Sequence, residues 1–460
     1  MISFIAIPVH ALEIRGAVAG TVNGASNLVD NTFAWNAQTF AGFDYDIDHD
    51  VGNENLLTTN LTGDYKLSGD APYGIVYKAN NRIKAFENAQ LGMKYGKLRV
   101  RTIDSTTGTI TLDNRGNAFS LSKNKNIEIM PGIYIRTADN DTLRYYIYKN
   151  ITEPGTYELR GSVAGTINGQ SILVDNTFTW NPQNFAGFYY DIKKDLGTEN
   201  LMFVLSGDGG NKLSGDAPYG VTYTTIAQFN DYKFKDWGSY TVIGFQGREC
   251  FAGYRWGGGS PLYGESIDKN FLSSEQLEKI LMDDDTKMTV KMNESIKLKE
   301  GYDLFLKGMN SNGQIYLELQ KDGKIIDESF LAPSVYGATI DDKTYCYRTN
   351  VGSQKGLVTI AVHFSGTYKD EERALAVVDG IWQISETPID VRSDTQYDKM
   401  TIRIVDATAG TITMDNKDNP ITLTRKSDID LMTDIHIRTA DNDTLRYYIY
   451  RNETVGNNSM

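Results

Sequence analysis

Alternating hydrophobic and polar positions along this chain predict short β-strands. Residues 143–148 read Leu-Arg-Tyr-Tyr-Ile-Tyr, with Leu, Tyr and Ile on one face and Arg, Tyr and Tyr on the other. This period of two is typical of a half-buried strand. Residues 109–112, which Asp-Asn-Arg-Gly follows, predict a strand and a turn. Residues 314–320 lie between Asn-Gly and Asp-Gly and predict the middle strand of a β-meander.

One segment predicts a helix, over residues 273–282. Ser273 can cap it, Gln276 follows three residues later, and Leu277 and Ile280 belong to its apolar face. The acidic run that closes this segment is expected to be exposed. So little helix among many short strands favours β-sandwiches, with closed barrels as the alternative.

Internal repetition is the strongest signal in the chain. Residues 13–24 recur, 145 positions later, as residues 158–169. Residues 135–148 recur unchanged, 302 positions later, as residues 437–450. The sequence therefore contains two copies of one module, here called the first repeat and the second repeat.

The change of offset predicts an insertion inside the second repeat. The first repeat passes from Tyr77 to Tyr95 in 18 residues, whereas the second passes from Tyr223 to Tyr397 in 174. The difference is about the length of one domain. The predicted fold is all-β, with tandem β-sandwich modules of which the second is split by an inserted β-rich domain. The predicted domains are a remnant of a secretory signal at 1–11, the first repeat at 12–152, the second repeat at 156–223 and 388–454, and the inserted domain at 224–387.

Composition and charge narrow the possible functions. Lys and Arg number 46 against 59 Asp and Glu, a net charge of -13 that repels phosphate backbones and excludes nucleic acid as a partner. The first nine residues are apolar, and Val9 and Ala11 are the small residues that a signal peptidase reads, which predicts export. An edge strand at the start of a domain is the alternative. No later segment has the ~18 apolar residues of a membrane span.

Cys250 and Cys346 are the only cysteines. An even count in an exported chain predicts one disulfide between them, with two buried thiols as the alternative.

Two acidic segments are candidate metal sites. The first has four Asp at alternate positions and one neighbouring His. The equivalent positions of the second repeat include two lysines, so we prefer a solvated strand face to a metal site. The second, Asp139-Asn140-Asp141, could hold calcium, but a calcium loop would need Asp or Asn at Leu143, and an Asx turn is preferred. The alternating residues are Asp44, Asp46, Asp48, His49 and Asp50, against Tyr189, Asp191, Lys193, Lys194 and Asp195.

Catalytic chemistry has no positive signal. The chain has no Gly-x-Ser-x-Gly, His-Glu-x-x-His or Walker motif, and no pair of acids stands out for glycoside hydrolysis. Trp237, Tyr254 and Trp256, near residues 257–259, could line a sugar-binding loop, but core or corner positions are the preferred interpretation. We therefore expect no enzyme and no catalytic, cofactor or metal residue.

Asn-x-Ser/Thr acceptors predict glycosylation of some exposed asparagines. Four of them occupy equivalent positions of the two repeats. The acceptors are Asn60, Asn140, Asn150, Asn293, Asn442, Asn452 and Asn457.

The second repeat and the insert resemble the surface-layer (S-layer) proteins of Methanosarcina-type archaea, which are built from a duplicated S-layer domain. The resemblance implies paired β-sandwiches that tile into a porous, glycosylated coat around the cell, with no catalytic residues. It suggests self-association, or association with other coat proteins; calcium is a possible further partner because the segment Asp139-Asn140-Asp141 could hold it. The segments that carry the resemblance are residues 158–161, 177–180, 185–192, 213–216, 244–246, 319–323, 361–363 and 378–385.

The first repeat lacks the insert, and the chain ends at Met460 without the polar stalk and membrane anchor expected of a full coat protein. A fragment, a minor coat component and a secreted relative are all open. The predicted function is a structural coat protein at the cell surface. The alternatives are a secreted carbohydrate-binding or adhesive module and a polysaccharide hydrolase or lyase.

Overall fold

A computed structural model of the chain confirms an all-β architecture. The predicted signal remnant at residues 1–11 lies outside the described residues. Of the described residues, Ile340–Lys343 is the only α-helix, and Lys235–Trp237 and Phe271–Ser274 are 3₁₀ turns. The structure describes residues 12–59, 65–69, 74–80, 86, 88–206, 210–254, 262, 270–370 and 373–456.

The chain divides into two compact units. The first comprises residues 1–224, 396–401 and 414–460, and the second comprises residues 225–395 and 402–413. The domain boundaries given above stay a prediction.

The first repeat contains two main antiparallel sheets. In one, Arg144–Ile151 is central and also pairs with Leu12–Arg15. The strands of this sheet are, in order, Asn126–Met130, Ile133–Thr137, Arg144–Ile151, Ala19–Val22 and Ala25–Ser26. Those of the other are Lys94–Tyr95, Leu98–Asp104, Thr109–Asp113, Gly74–Asn80, Glu54–Thr59 and Phe33–Asn36. Two ribbons pair Lys66–Leu67 with Phe119–Ser120 and Tyr45–Asp46 with Val51–Gly52.

The second repeat reproduces this arrangement. Its long central strand is Arg446–Val455, which also pairs with Gly155–Arg160. The strands of its first sheet are Gln170–Ser171, Ala164–Ile167, Arg446–Val455, Ile435–Thr439 and Asp428–Met432. Those of the second are Thr177–Trp180, Asn200–Val204, Gly220–Ile226, Thr411–Asp415, Met400–Asp406 and Gln396–Tyr397, and a ribbon pairs Lys212–Leu213 with Ile421–Thr422.

The apolar core of the first repeat lies between its two sheets. Tyr77 from one sheet and Ile147 from the other belong to the same buried cluster. Trp35 is fully buried there and donates its indole N–H to the Ala17 carbonyl oxygen at 2.7 Å. A Cβ added to Gly16 would lie 2.9 Å from the Trp35 ring, so the close approach of the backbone to the indole requires glycine.

The second unit is built from two further antiparallel sheets. Their facing sides share a buried cluster that includes Leu304 and Leu317 from the smaller sheet and Val362 and Val378 from the larger. The larger sheet has, in order, Gln228–Asp231, Ser239–Phe245, Arg248–Tyr254, Gln276–Asp284, Ala374–Ile384, Gln354–Lys369 and Thr344–Val351, with Met288–Lys291 and Ile389–Asp390 paired at its sides. The smaller has Ser295–Lys297, Tyr302–Met309, Ile315–Lys321 and Lys324–Leu331.

The predicted helix at residues 273–282 is wrong. Asn270, not Ser273, caps a single 3₁₀ turn, and Glu275 adopts a left-handed conformation (φ 54°) that ends it. Residues 276–284 then form a strand between two partner strands. Pairing with distant segments therefore overrides the local helical pattern.

The predicted strand at residues 143–148 is confirmed as Arg144–Ile151, but its half-burial is wrong. Tyr145 faces the core of the repeat, and yet Tyr146 and Tyr148 on the opposite face are only 5% and 6% exposed. They belong to a second buried cluster that includes Ile192 of the second repeat. The outer face of this strand is therefore covered by the other repeat.

Candidate functional site: the contact between the two repeats

The two repeats meet through a reciprocal contact, in which each repeat presents the same two elements to the other. One element is the sheet face that carries the long strand, Arg144–Ile151 or Arg446–Val455. The other is a loop that follows the tryptophan strand, residues 37–50 or 182–195. Each sheet face covers the loop of the other repeat, so the arrangement has approximate two-fold symmetry. We call it the repeat contact.

Two equivalent arginines cross the repeat contact in opposite directions. Arg15 donates to the carbonyl oxygens of Pro182 at 2.6 Å and Phe185 at 3.4 Å. Arg160 donates in return to the carbonyl oxygen of Ala37 at 2.5 Å. Beside each arginine, a backbone hydrogen bond also joins the two repeats. Main-chain oxygens, not carboxylates, therefore receive both guanidinium groups.

The surroundings of these two arginines are dry and aromatic. Arg15 is 9% exposed and Arg160 is 8% exposed. Burial lowers the pKa of both guanidinium groups, while neighbouring tyrosines and acids oppose the shift. The Arg15 guanidinium lies 5.3 Å from the centre of the Tyr190 ring, and that of Arg160 lies 5.3 Å from the Tyr45 ring. These distances allow cation–π attraction, which strengthens when water is excluded.

A second pair of arginines repeats the same chemistry at the turn of each loop. Arg144 donates its Nε–H to the Ile192 carbonyl oxygen at 3.1 Å, and Arg446 donates to that of Ile47 at 2.9 Å. Both arginines are 5% exposed. They hold the loops mainly by backbone atoms, and Arg144 also lies 3.7 Å from the Asp195 carboxylate.

Aspartates at the end of each loop complete the contact. Asp195 accepts the backbone N–H of Asn23 at 2.7 Å, and Asp50 accepts that of Asn168 at 2.5 Å. Both asparagines have left-handed backbone (φ 49° and 50°), which suits a short turn that presents its N–H. Each aspartate also accepts a hydrogen bond from the hydroxyl of a tyrosine in its own loop.

Apolar packing fills the space between these polar groups. Ile192 packs with Tyr146 and Tyr148 on one side of the contact, and Ile47 packs with Tyr448 and Tyr450 on the other. These aromatic rings exclude water from the arginines, which strengthens their hydrogen bonds. The two repeats therefore pack into one compact unit.

The sequence of the chain is similar to that of a known protein family. Residues 170–441 match the protein family described as S-layer protein.

The chain belongs to this family.

Among curated relatives, the Major S-layer proteins of Methanosarcina mazei, Methanosarcina acetivorans and Methanosarcina barkeri are each 30% identical to it. Each match covers 79% of this chain and 50% of the relative, so the chain spans about half the length of the curated relatives it matches. In the described part of this S-layer family member, no helix combines the length and apolar character that a bilayer crossing requires.

Sequence reasoning missed the four arginines of the repeat contact. Arg144 and Arg446 could have been found from the identical Arg in both copies of the long strand, beside two tyrosines on the same face, and Arg15 and Arg160 from the Arg-Gly pair that recurs in residues 13–24 and 158–169. A charge that recurs unchanged on an aromatic face indicates a buried hydrogen-bonding role.

The alternating aspartates do not form the solvated strand face that was preferred. Tyr45–Asp46 is a short strand and residues 47–50 form a turn, in which Asp46 accepts the backbone N–H of Asp48 at 2.9 Å. Asp48 and Asp50 accept backbone N–H groups of the second repeat. Over the described residues, no group of three His, Cys, Asp or Glu is placed to hold a metal ion.

The predicted Asx turns are confirmed in both repeats. Asn140 accepts the backbone N–H of Thr142 at 3.1 Å, and Asn442 accepts that of Thr444 at 2.9 Å. Each side-chain amide also crosses the repeat contact: Asn140 donates to the Lys193 carbonyl oxygen, and Asn442 to that of Asp48, both at 3.1 Å. We call Asn140 and Asn442 the contact asparagines.

The other predicted glycan acceptors have different surroundings. Asn150, Asn293 and Asn452 are exposed. Asn60 and Asn457 lie outside the described residues. Glycosylation at any of the seven positions stays a prediction.

The cysteines and the suggested sugar loop lie in the second unit. Cys250 and Cys346 carry thiols in this structure, and three strands separate their strands in the sheet order. The predicted disulfide stays a prediction. Trp237 and Tyr254 are buried in the core, as preferred, while Trp256 and residues 257–259 lie outside the described residues.

Proposed function

We propose that this chain is a structural component of a porous S-layer coat at the archaeal cell surface. The observation that carries the proposal is the repeat contact, since buried guanidinium groups bonded to backbone carbonyls join two sandwiches into one compact unit. A coat needs compact blocks of this kind because it must keep its spacing under mechanical load. Membership of the S-layer family and the names of the Methanosarcina relatives support the same function.

Glycans cover the exposed faces of these blocks in this proposal. Asn150 and Asn452 occupy equivalent exposed positions near the ends of the long strands, where a bulky sugar meets no neighbour. The contact asparagines donate hydrogen bonds from their side-chain amides to the opposite repeat. Attachment of a sugar to either amide therefore competes with folding.

The net charge of -13 gives the coat a preference among solutes. Acidic pores attract cations and repel anions over a distance set by the ionic strength. Calcium is a candidate assembly ion for the same reason, because it reduces the repulsion between acidic copies.

Electron microscopy of the purified chain, with and without calcium, tests the proposed function. We expect ordered two-dimensional sheets for the wild type and for Arg115→Met, an exposed-site control. Arg160→Met, which loosens the repeat contact, should give disordered or no sheets. Single particles that never assemble but bind one glycan saturably would instead support the adhesive alternative.

A further inference from the structure

The outer face of the smaller sheet in the second unit carries two stacked aromatic rings. Ile315 and Leu317 point into the core, so Tyr316 between them points outward, and Phe330 lies directly opposite Tyr316 on the same face. The ring centroids are 4.9 Å apart and the ring planes differ by 28°. Phe330 is 76% exposed, so most of its ring is open to a ligand. We call Tyr316 and Phe330 the aromatic pair.

A row of charged side chains lies beside the aromatic pair on this face. Glu318 and Glu328 are directly opposite each other in neighbouring strands. The Tyr316 hydroxyl donates to the Glu328 carboxylate at 2.6 Å, and the Lys307 ammonium lies 3.5 Å from that of Glu318. Like charges directly opposite each other destabilise a sheet. The row therefore has a cost in folding, and what it provides is a surface with hydrogen-bond acceptors and a donor next to an aromatic ring.

The face continues beyond this row to a second apolar side chain. Gln320 and Ile325 are directly opposite each other, two residues further along the middle strand from Glu318. Ile325 is 54% exposed. At about 3.3 Å per residue, the distance from Phe330 to Ile325 is roughly 15 Å. The face is thus elongated, apolar at both ends and polar in the middle.

We propose that this face binds a neutral oligosaccharide. The C–H groups on one side of a hexose ring are apolar and pack against the electron-rich face of an aromatic ring. Sugar hydroxyl groups both donate and accept hydrogen bonds, which matches carboxylates that only accept and an ammonium that only donates. An elongated face suits a chain of several sugar units. The inference goes beyond the coat function and does not depend on it.

The charges around the aromatic pair select against other ligands. Glu318 and Glu328 belong to a chain with a net charge of -13, so an anionic polysaccharide and a second copy of the chain are both repelled. Lys307 offsets one of the two carboxylates, which weakens the attraction for a simple cation. A neutral ligand that is rich in hydroxyl groups meets neither obstacle.

Calorimetric titration of the full chain tests the site, with probes chosen by a glycan array. The neutral probes are linear oligomers of glucose, mannose and N-acetylglucosamine, and the anionic probe is an oligomer of galacturonic acid. The wild type should bind at least one neutral oligomer and not the anionic one. Phe330→Ser should weaken this binding about ten-fold, the effect of losing one aromatic contact. Phe229→Ser, at a phenylalanine that is 61% exposed on another strand, should bind as the wild type does.

A second pair of variants keeps the test decisive if Phe330→Ser fails to fold. Glu328→Ala removes a charged acceptor from the surface and should also weaken binding about ten-fold, whereas Glu294→Ala, at another exposed glutamate, should not. Binding that survives both Phe330→Ser and Glu328→Ala overturns the assignment, as does a wild type that binds no neutral oligomer or prefers the anionic one. Ordered sheets of that same wild type would leave the coat function standing, whereas binding without any assembly would support this site and count against the coat.

Discussion

The buried arginines of the repeat contact give the sharpest test of the structure. Arg160→Met keeps most of the aliphatic stem and removes the guanidinium group. That group donates to the carbonyl oxygens of Ala37, Gln38 and Phe40 at 2.5, 3.1 and 3.4 Å. Since Arg160 is only 8% exposed, water replaces these donors poorly in the variant.

The expected loss follows from the number and quality of these bonds. A hydrogen bond from a charged donor contributes about 1.5–3 kcal/mol, and two of the three have good lengths. The variant no longer desolvates a charge, which offsets part of the loss. We therefore expect the free energy of unfolding of the first unit to fall by about 3–4 kcal/mol, and its Tm to fall by about 6–12 °C.

Scanning calorimetry and urea titration of the full chain measure this change. Arg15→Met should cost less, about 1.5–3 kcal/mol, because only one of its two hydrogen bonds, to the Pro182 carbonyl oxygen at 2.6 Å, has a good length. Arg115→Met is the control: the Arg115 side chain is 52% exposed and pairs with Asp113, so it should cost less than about 1 kcal/mol. Arg160→Lys should restore less than half of the loss, since an ammonium cannot reach several carbonyls at once. If Arg160→Met costs no more than the control, the guanidinium does not hold the repeats together.

Three further predictions concern other described groups. Burial raises the pKa of Glu278 from 4.5 to about 8, so the folded state keeps a proton that the unfolded chain releases, and stability should fall by on the order of 4 kcal/mol as the pH rises from 4.5 to 8. Glu278→Gln should flatten this slope in calorimetry, whereas Glu294→Gln, at an exposed residue, should leave it unchanged; parallel slopes for both would refute the assignment. Peptide mapping of the protein from an archaeal host should find glycans at Asn150 and Asn452 and none at the contact asparagines, and the reverse pattern would contradict the contact geometry. Burial also raises the pKa of the Cys346 thiol to about 12, so it should resist iodoacetamide at pH 8 until the chain unfolds; a non-reducing map that recovers a bridge would contradict the thiols seen here.

Local patterns correctly predicted those strands that are bounded by turns directly adjacent in the sequence. Thr109–Asp113 and Ile315–Lys321 alternate in polarity and end at Asn or Gly turns, so all the information lies within about ten residues. The segment 276–284 failed for the opposite reason. Its partners include Ile384 and Ile389, more than a hundred positions away, and no local pattern reports them.

The repeat contact illustrates the same limit at a larger scale. Alternation along 143–148 separated two faces correctly and identified one of them as core. It could not reveal that the face with Arg144 is covered as well, because the covering loop comes from the other repeat. Only the recurrence of an arginine on an aromatic face carried that information.

The chemistry of the repeat contact also explains which parts of the two copies stay alike. The long strands are identical in residues 135–148 and 437–450, since each must fill its own core on one face and receive a foreign loop on the other. The loops differ, with Asp48 in one copy and Lys193 in the other, and yet the main-chain oxygen of each accepts a hydrogen bond from the equivalent arginine. The reason is that the arginines bind main-chain oxygens, which every residue supplies. Loop positions that supply only main-chain oxygens can therefore vary, whereas Ile47, Ile192, Asp50 and Asp195 contribute their side chains to the contact and are constrained.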